Sequence, residues 1–318
     1  MREWRTDERL DVGDGHEICV RSFGNPEGIP AVFLHGGPGS GVSEAQLGIF
    51  DPETCHVVAF DQRGAGLSRP RGSRDANTTQ HLIGDMELIR EHFAIDRWMV
   101  IGGSWGATLA LAYAQKHPDR VVGLVLRAVF LGTRAELDWA FGSGLATFHP
   151  ALHADFLAVL PDAERDRPLD AYLARILDPD PAVHAPAARA WHDTERVLSV
   201  LAPRTTRLGL DALRRTAGPA PVSPYMEAHY FAHDCFLADT PLLEGAERLR
   251  GIPGVLVQGR YDLLCPPRTA HALAARWPEA RVREVEAAGH ILEHGAIREA
   301  VSEEIAAMVA RLRGSAGA

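Results

Sequence analysis

Short, nearly unbroken apolar runs alternate with longer amphipathic stretches over much of this 318-residue chain. The runs fall at Ala31–Leu34, Val57–Phe60, Trp98–Ile101, Val121–Leu126, Val255–Val257 and Val282–Val285. Their length and apolar character suit strands buried on both faces. Stretches over Thr79–Phe93, Ala107–His117, Pro267–Trp277 and Ala296–Leu312 predict helices. A looser alternation over Glu17–Phe23, following Asp14-Gly15, predicts an opening hairpin. Together these elements predict an α/β architecture, a mostly parallel central sheet flanked by helices. The alternation lapses between about Thr133 and Glu247, where Ala, Leu, Arg, Asp and Pro dominate and no convincing β-run occurs. Because the sheet pattern resumes afterwards, this segment reads as an inserted helical cap. The expected division is core over 1–132, cap over 133–247 and core again over 248–318. The last residues, Gly314–Ala318, read as a frayed tail.

Composition narrows the partners. Apolar residues at 46% and charged residues at 24% are ordinary for a soluble globular enzyme. A formal net charge of -9, with no basic run to offset it, argues against a nucleic-acid partner. Cys19, Cys55, Cys235 and Cys265 are scattered without a C-x-x-C pair, so they read as reduced thiols. The segment Met1-Arg-Glu-Trp-Arg-Thr-Asp-Glu8 is too charged for a signal peptide. No apolar run approaches the roughly 20 residues of a membrane span. A cytoplasmic protein with no membrane partner is the expectation.

Gly102-Gly103-Ser104-Trp105-Gly106 reads as G-x-S-x-G, set between a predicted strand and a predicted helix. That frame turns a serine into an exposed nucleophile. A serine hydroxyl near neutral pH needs a base, and the base needs an orienting acid. In the α/β-hydrolase layout these follow in the order Ser, acid, His, each after a later strand. Asp262 follows the Val255–Val257 run and His290 follows Val282–Val285. The trio is therefore Ser104 as nucleophile, His290 as general base and then acid, and Asp262 holding the imidazolium. His35-Gly36-Gly37-Pro38-Gly39 follows another strand and suits an oxyanion hole, with the backbone N–H groups of Gly37 and Trp105 as donors. Asp61-Gln62-Arg63-Gly64-Ala65-Gly66 lacks the full dinucleotide fingerprint and reads as a structural βα turn supporting the site. His290-Ile-Leu-Glu293-His294 matches the inverted zinc-protease signature. That signature belongs on a helix, whereas here it leaves a strand and meets Gly295. His290 therefore goes to the trio, Glu293 and His294 read as a polar turn, and neither a metal nor a cofactor is expected.

The chain resembles the proline iminopeptidases, serine prolyl aminopeptidases of the α/β-hydrolase fold. The likeness runs through His35–Gly39, Phe60-Asp-Gln-Arg-Gly64, Gly102–Gly106, Thr108–Gln115 and Leu124-Val-Leu-Arg127. It continues at His229-Tyr-Phe231, Gly259-Arg-Tyr-Asp262 and Ala288-Gly-His290, so it spans nearly the whole chain, cap included. The resemblance implies removal of an N-terminal residue through an acyl-enzyme, with cap carboxylates recognising the free amine. It places those carboxylates at Glu195 and Glu227, and the pocket walls at Phe130, Phe141 and Phe231. The physics agrees, since an ammonium leaving water is tolerated beside paired negative charge. An esterase for neutral acyl chains has no use for two such carboxylates.

Departures from the family pattern concern the substrate. Thr194 stands where a second Trp usually precedes the first amine-binding Glu. Ala140-Phe141-Gly142 replaces an aromatic-rich stretch, and Ala128-Val129 replaces Gly-Ile. Loss of a ring at position 194 is expected to loosen or reshape the cap entrance. The expected substrate is a small peptide with a free N-terminal amine. The alternative is an aminoacylated small molecule, a natural-product intermediate from which a non-proline residue is removed.

Overall fold

The computed structural model describes residues 3–215, 220–293 and 295–316. Eight strands form one sheet: β1 Thr6–Asp11, β2 Glu17–Gly24, β3 Ile29–Leu34, β4 Cys55–Phe60, β5 Trp98–Ser104, β6 Val121–Val129, β7 Gly254–Gly259 and β8 Ala280–Val285. Their order is β1-β2-β4-β3-β5-β6-β7-β8. β1 and β2 make the expected hairpin, with Gly13, Asp14 and Gly15 all at positive φ in the turn. β2 also pairs antiparallel with β4, and every later pairing is parallel. The hairpin's outer strand alternates half-buried and exposed residues, as an antiparallel edge does, whereas β7 is buried throughout.

The period-two rule sorts side chains into two cores. Along β5, Trp98 and Val100 join one core, while Met99 and Ile101 join the other. β3 does the same with Val32 and Leu34 against Ala31 and Phe33. Helices α1 Thr79–His92 and α2 Trp105–Lys116 cover the first face. α2 is buried from Trp105 to Gln115, which explains its nearly all-apolar composition.

Between β6 and β7 every described element is helical. A broken helix opens this stretch over Arg134–Asp138, a π segment over Trp139–Ser143 and Gly144–Phe148. Thr133 and Glu136 form the capping box that starts it. Then come α3 Pro150–Ala158, α4 Pro168–Ile176 and α5 Pro181–Leu198, each with proline in its first turn. After a short helix at Leu210–Arg215 follows α6 Val222–Phe231. Stacked rings hold these helices together: Phe156 on Tyr172 at 3.9 Å and Phe141 on Trp191 at 3.7 Å.

The sheet resumes with β7, followed by α7 Pro267–Ala274, β8 and α8 Gly295–Ala316, whose Ile297, Val301 and Ile305 close the second core. Two expected bounds shift. α7 stops three residues short of Trp277, which turns inward instead, its indole N–H donating to the Ile252 carbonyl at 2.9 Å. The expected tail is helical through Ala316, with 317–318 outside the described residues.

Candidate active site

Ser104 ends β5 and caps α2 with φ 57° and ψ -126°. A side-chain-bearing residue is held in that conformation only when its surroundings impose it. Here crowding does so. A Cβ on Gly102 would collide with the Gly106 carbonyl, and one on Gly106 would collide with the Leu34 carbonyl. Strand, turn and helix thus pack too closely for any residue larger than glycine at those positions. The turn leaves Ser104 partly open while Trp105 is buried.

Asp262 lies just past β7 and His290 past β8. His290 Nδ1 stands 2.8 and 3.0 Å from the two carboxylate oxygens of Asp262. The same carboxylate accepts the backbone N–H groups of Leu264 at 3.0 Å and Cys265 at 2.8 Å. These contacts fix a buried carboxylate as an acceptor for the imidazole. Burial and the neighbouring Asp262 push the Cys265 thiol well above its ordinary pKa, and a hydrogen bond with the Ser104 hydroxyl lowers it in part. All four cysteines are free and buried.

The His35–Gly39 loop lies against the serine, and a Cβ on Gly36 would sit 3.6 Å from that of Ser104. Gln62 secures this loop. Its backbone N–H donates to His35 Nε2 at 3.0 Å, and its side-chain amide donates to the His35 carbonyl at 2.9 Å. Its side-chain oxygen accepts the Trp105 indole N–H at 2.8 Å. Burial lowers the pKa of His35, so its imidazole serves here as a neutral acceptor. Arg63 anchors the same turn. Its guanidinium meets Asp85 with two 2.8 Å bonds, and its remaining N–H groups reach Asp14, Ala76 and Val12. The Asp61–Gly66 segment therefore supports the site, as its sequence suggests.

Among the helices between β6 and β7, α5 carries Glu195 and α6 carries Glu227. Glu227 is 1% exposed. One of its oxygens accepts the Trp191 indole N–H at 2.6 Å, and the other accepts the Ser223 hydroxyl. Burial raises the Glu227 carboxyl, against the pull of those two donors. Burial and then the like charge of Glu227 raise Glu195 well above the ordinary carboxylate range. Both carboxyls are thus raised, and their proximity favours a shared proton over two facing anions. α6 also meets the loop below, where a Cβ on Gly39 would overlap the Met226 side chain.

Phe130 and Phe231 meet edge-to-face at 5.7 Å, and Phe231 lies 6.4 Å from Trp191. Phe141 stacks on Trp191, so it backs the ring array. Thr194 departs from expectation. It is fully buried, with a hydroxyl that lacks a partner, so position 194 lies in the interior and not at an open entrance.

Four residues enter the site without having been singled out from sequence: Trp191, Ser223, Arg127 and Ser199. Ser223 and Trp191 each stand four residues before a glutamate, a helical spacing that places them on its face. Arg127 is a lone charge in an apolar strand. Ser199 reaches the peptide of His290 through its carbonyl, a contact that leaves no sequence signal. The inverted zinc signature is described only in part. His290 lies outside any helix and is bonded to Asp262, while His294 lies outside the described residues. Among the described residues, no group of three or more His, Cys, Asp or Glu is arranged to hold a metal ion. Nor is any described helix long and apolar enough to cross a membrane.

Residues 30–178 match the α/β-hydrolase fold family. The chain is 42% identical over 285 residues to a proline iminopeptidase from Arabidopsis thaliana, covering 88% of this chain and 74% of that protein. It is 41% identical over 283 residues to a proline iminopeptidase from Neisseria meningitidis, covering 88% and 89%. Among solved structures, a proline iminopeptidase from Mycobacterium smegmatis superposes with a TM-score of 0.64 at 19% identity, over 96% of this chain and 100% of that one. That last likeness concerns the fold alone.

Proposed function

The chain belongs to the proline iminopeptidase family, serine aminopeptidases of the α/β-hydrolase fold, and on that premise we propose that it releases N-terminal proline from small peptides through an acyl-enzyme. Residues 133–247 act as the cap over a core made of 1–132 and 248–318. Ser104 Oγ attacks the prolyl carbonyl while His290 Nε2 takes its proton, and Asp262 stabilises the imidazolium. The developing oxyanion is received by the N–H groups of Trp105 and Gly37. Trp105 is the first residue of α2, where backbone N–H groups have no intrahelical partner and the helix dipole favours negative charge. His290 then protonates the leaving amine, and a water activated by the same base frees proline from Ser104.

Glu195 and Glu227 receive the substrate amine, and a free ammonium at that point restricts cleavage to the first residue of a chain. The proline ring lies among Phe130, Phe231 and the Trp191–Phe141 stack. Two buried carboxyl groups close together beside an aromatic array carry this reading, since a substrate ammonium offers them a counterion that a neutral acyl chain cannot. With relatives near 40% identity over most of the chain, removal of a non-proline group from a natural-product intermediate is not favoured.

Initial rates on naphthylamides of Pro, Ala, Gly, Ser and Leu, with N-acetylated controls, test the reading. Proline preference that vanishes on acetylation is the expected result. Equal rates on acetylated substrates would overturn the carboxylate role.

A further inference from the structure

The backbone of His290 is gripped from two sides. Its N–H donates to the Ser199 carbonyl at 3.0 Å, and the next N–H, that of Ile291, reaches the same oxygen at 3.3 Å. Its own carbonyl accepts from Nη1 of Arg127. Asp262 fixes the imidazole ring about Nδ1, but these contacts fix where the ring is carried.

Both grips are built in. A Cβ on Gly289 would approach the Ser199 carbonyl oxygen to 3.2 Å, so glycine there lets the histidine loop come up to the cap. On the core side, Arg127 pairs in register with Gly103, and any side chain at 103 would strike its guanidinium. Burial lowers the pKa of that guanidinium, with Asp262, Cys265 and Glu293 as the acidic groups facing it.

Ser199 is also the residue that closes α5. Its N–H and its hydroxyl both donate to the Glu195 carbonyl, at 2.9 and 2.7 Å. One helical turn therefore joins the carboxylate that meets the amine to the peptide that carries the base. We propose that Ser199 and Arg127 are positioning residues for His290, with Ser199 coupling amine capture at Glu195 to alignment of the imidazole. This rests on the roles assigned above to His290 and Glu195. Misplacing a reacting group by about 1 Å can cost on the order of 10²-fold in rate. The coupling therefore makes a free amine count in kcat as well as in KM.

The test compares Ser199→Gly, Ser199→Thr and Arg127→Lys with wild type. Glycine keeps the carbonyl but loses the hydroxyl bond and frees the turn. Threonine keeps the hydroxyl, and lysine lacks the reach and fork of arginine. Four quantities are read: kcat and KM on prolyl-2-naphthylamide, the rate of Ser104 phosphonylation by a fluorophosphonate, and the melting temperature. Ser199→Gly is expected to lower kcat and phosphonylation together by about 10-fold, an offset of roughly 1.4 kcal/mol. KM and melting temperature stay near wild type, and Ser199→Thr restores both rates to within about twofold. Arg127→Lys gives the same signature independently, should the glycine variant fold poorly. Unchanged phosphonylation in both variants, a loss confined to KM, or a loss that merely follows a lower melting temperature would overturn the proposal. If wild type cleaves no prolyl substrate, the functional reading fails, while phosphonylation still reports on how His290 is held.

Discussion

Replacing Glu227 with glutamine removes one negative charge from the amine site and almost nothing else. The glutamine oxygen can keep the 2.6 Å bond from Trp191, while its NH2 group donates to Ser223, whose hydroxyl turns around. No buried donor is orphaned, so folding is expected to survive. What disappears is half of the countercharge for a buried ammonium. Truncating one side of a buried, hydrogen-bonded charge pair costs about 2–5 kcal/mol. Because Glu195 remains, about 2–4 kcal/mol is the expected share, or about 30- to 1000-fold in kcat/KM. The assay pairs prolyl-2-naphthylamide with p-nitrophenyl acetate, which carries no amine and should change by less than about threefold. The pH profile supplies a second readout. In wild type, kcat/KM for the prolyl substrate should rise as the shared proton leaves the glutamate pair, above the ordinary carboxylate range. In the Glu227→Gln variant the like charge is gone, so the Glu195 limb should move to lower pH. Equal losses on both substrates, or an unmoved limb, would refute the assignment.

Three further expectations follow from other contacts. Ser104→Ala should abolish turnover and phosphonylation while leaving proline binding by calorimetry intact; residual turnover at a tenth of wild type would remove Ser104 from its role. Arg63→Met strands the Asp85 carboxylate, so it should cost about 3–5 kcal/mol in denaturant unfolding, and a change below about 1 kcal/mol would contradict the buried pair. Glu195 and Glu227 have folded-state pKa values raised above their unfolded ones, so the native state binds more protons above the ordinary carboxylate range. The melting temperature of the substrate-free enzyme should therefore fall as pH rises from that range through the folded pKa values, and less so in Glu227→Gln.

Much of the scaffold is legible in the sequence because two periodicities write it directly. Nearly unbroken apolar runs announce six strands, and the order Ser104, Asp262, His290, each past the end of a later strand, announces the candidate trio. The outermost strand, Thr6–Asp11, leaves little trace because an exposed antiparallel edge needs few apolar residues. Helix ends move where tertiary packing outweighs propensity, as when Trp277 leaves its helix for the core. The cap shows least. Glu227 is recognisable beside its aromatic neighbours, but nothing local says that Trp191 donates to it across 36 positions. Thr194 reads as part of an entrance and is an interior position, because a residue's place along the chain does not say which helix face the fold buries. Ser199 holds the histidine peptide through a carbonyl that every residue possesses, and its hydroxyl bonds back to the Glu195 carbonyl within its own helix, so neither contact marks it in the sequence.

The crowding around Gly102 and Gly106 separates two kinds of information within one pentapeptide. The glycines are demanded by carbonyls of neighbouring segments, whatever chemistry the turn performs. A descendant that lost catalysis would still have to keep both, while position 104 drifted freely. Among such descendants the flanking glycines would report ancestry and fold, and only the central residue would report an enzyme. A screen for silent members of this lineage should therefore ask for the glycines first and then look at what stands between them.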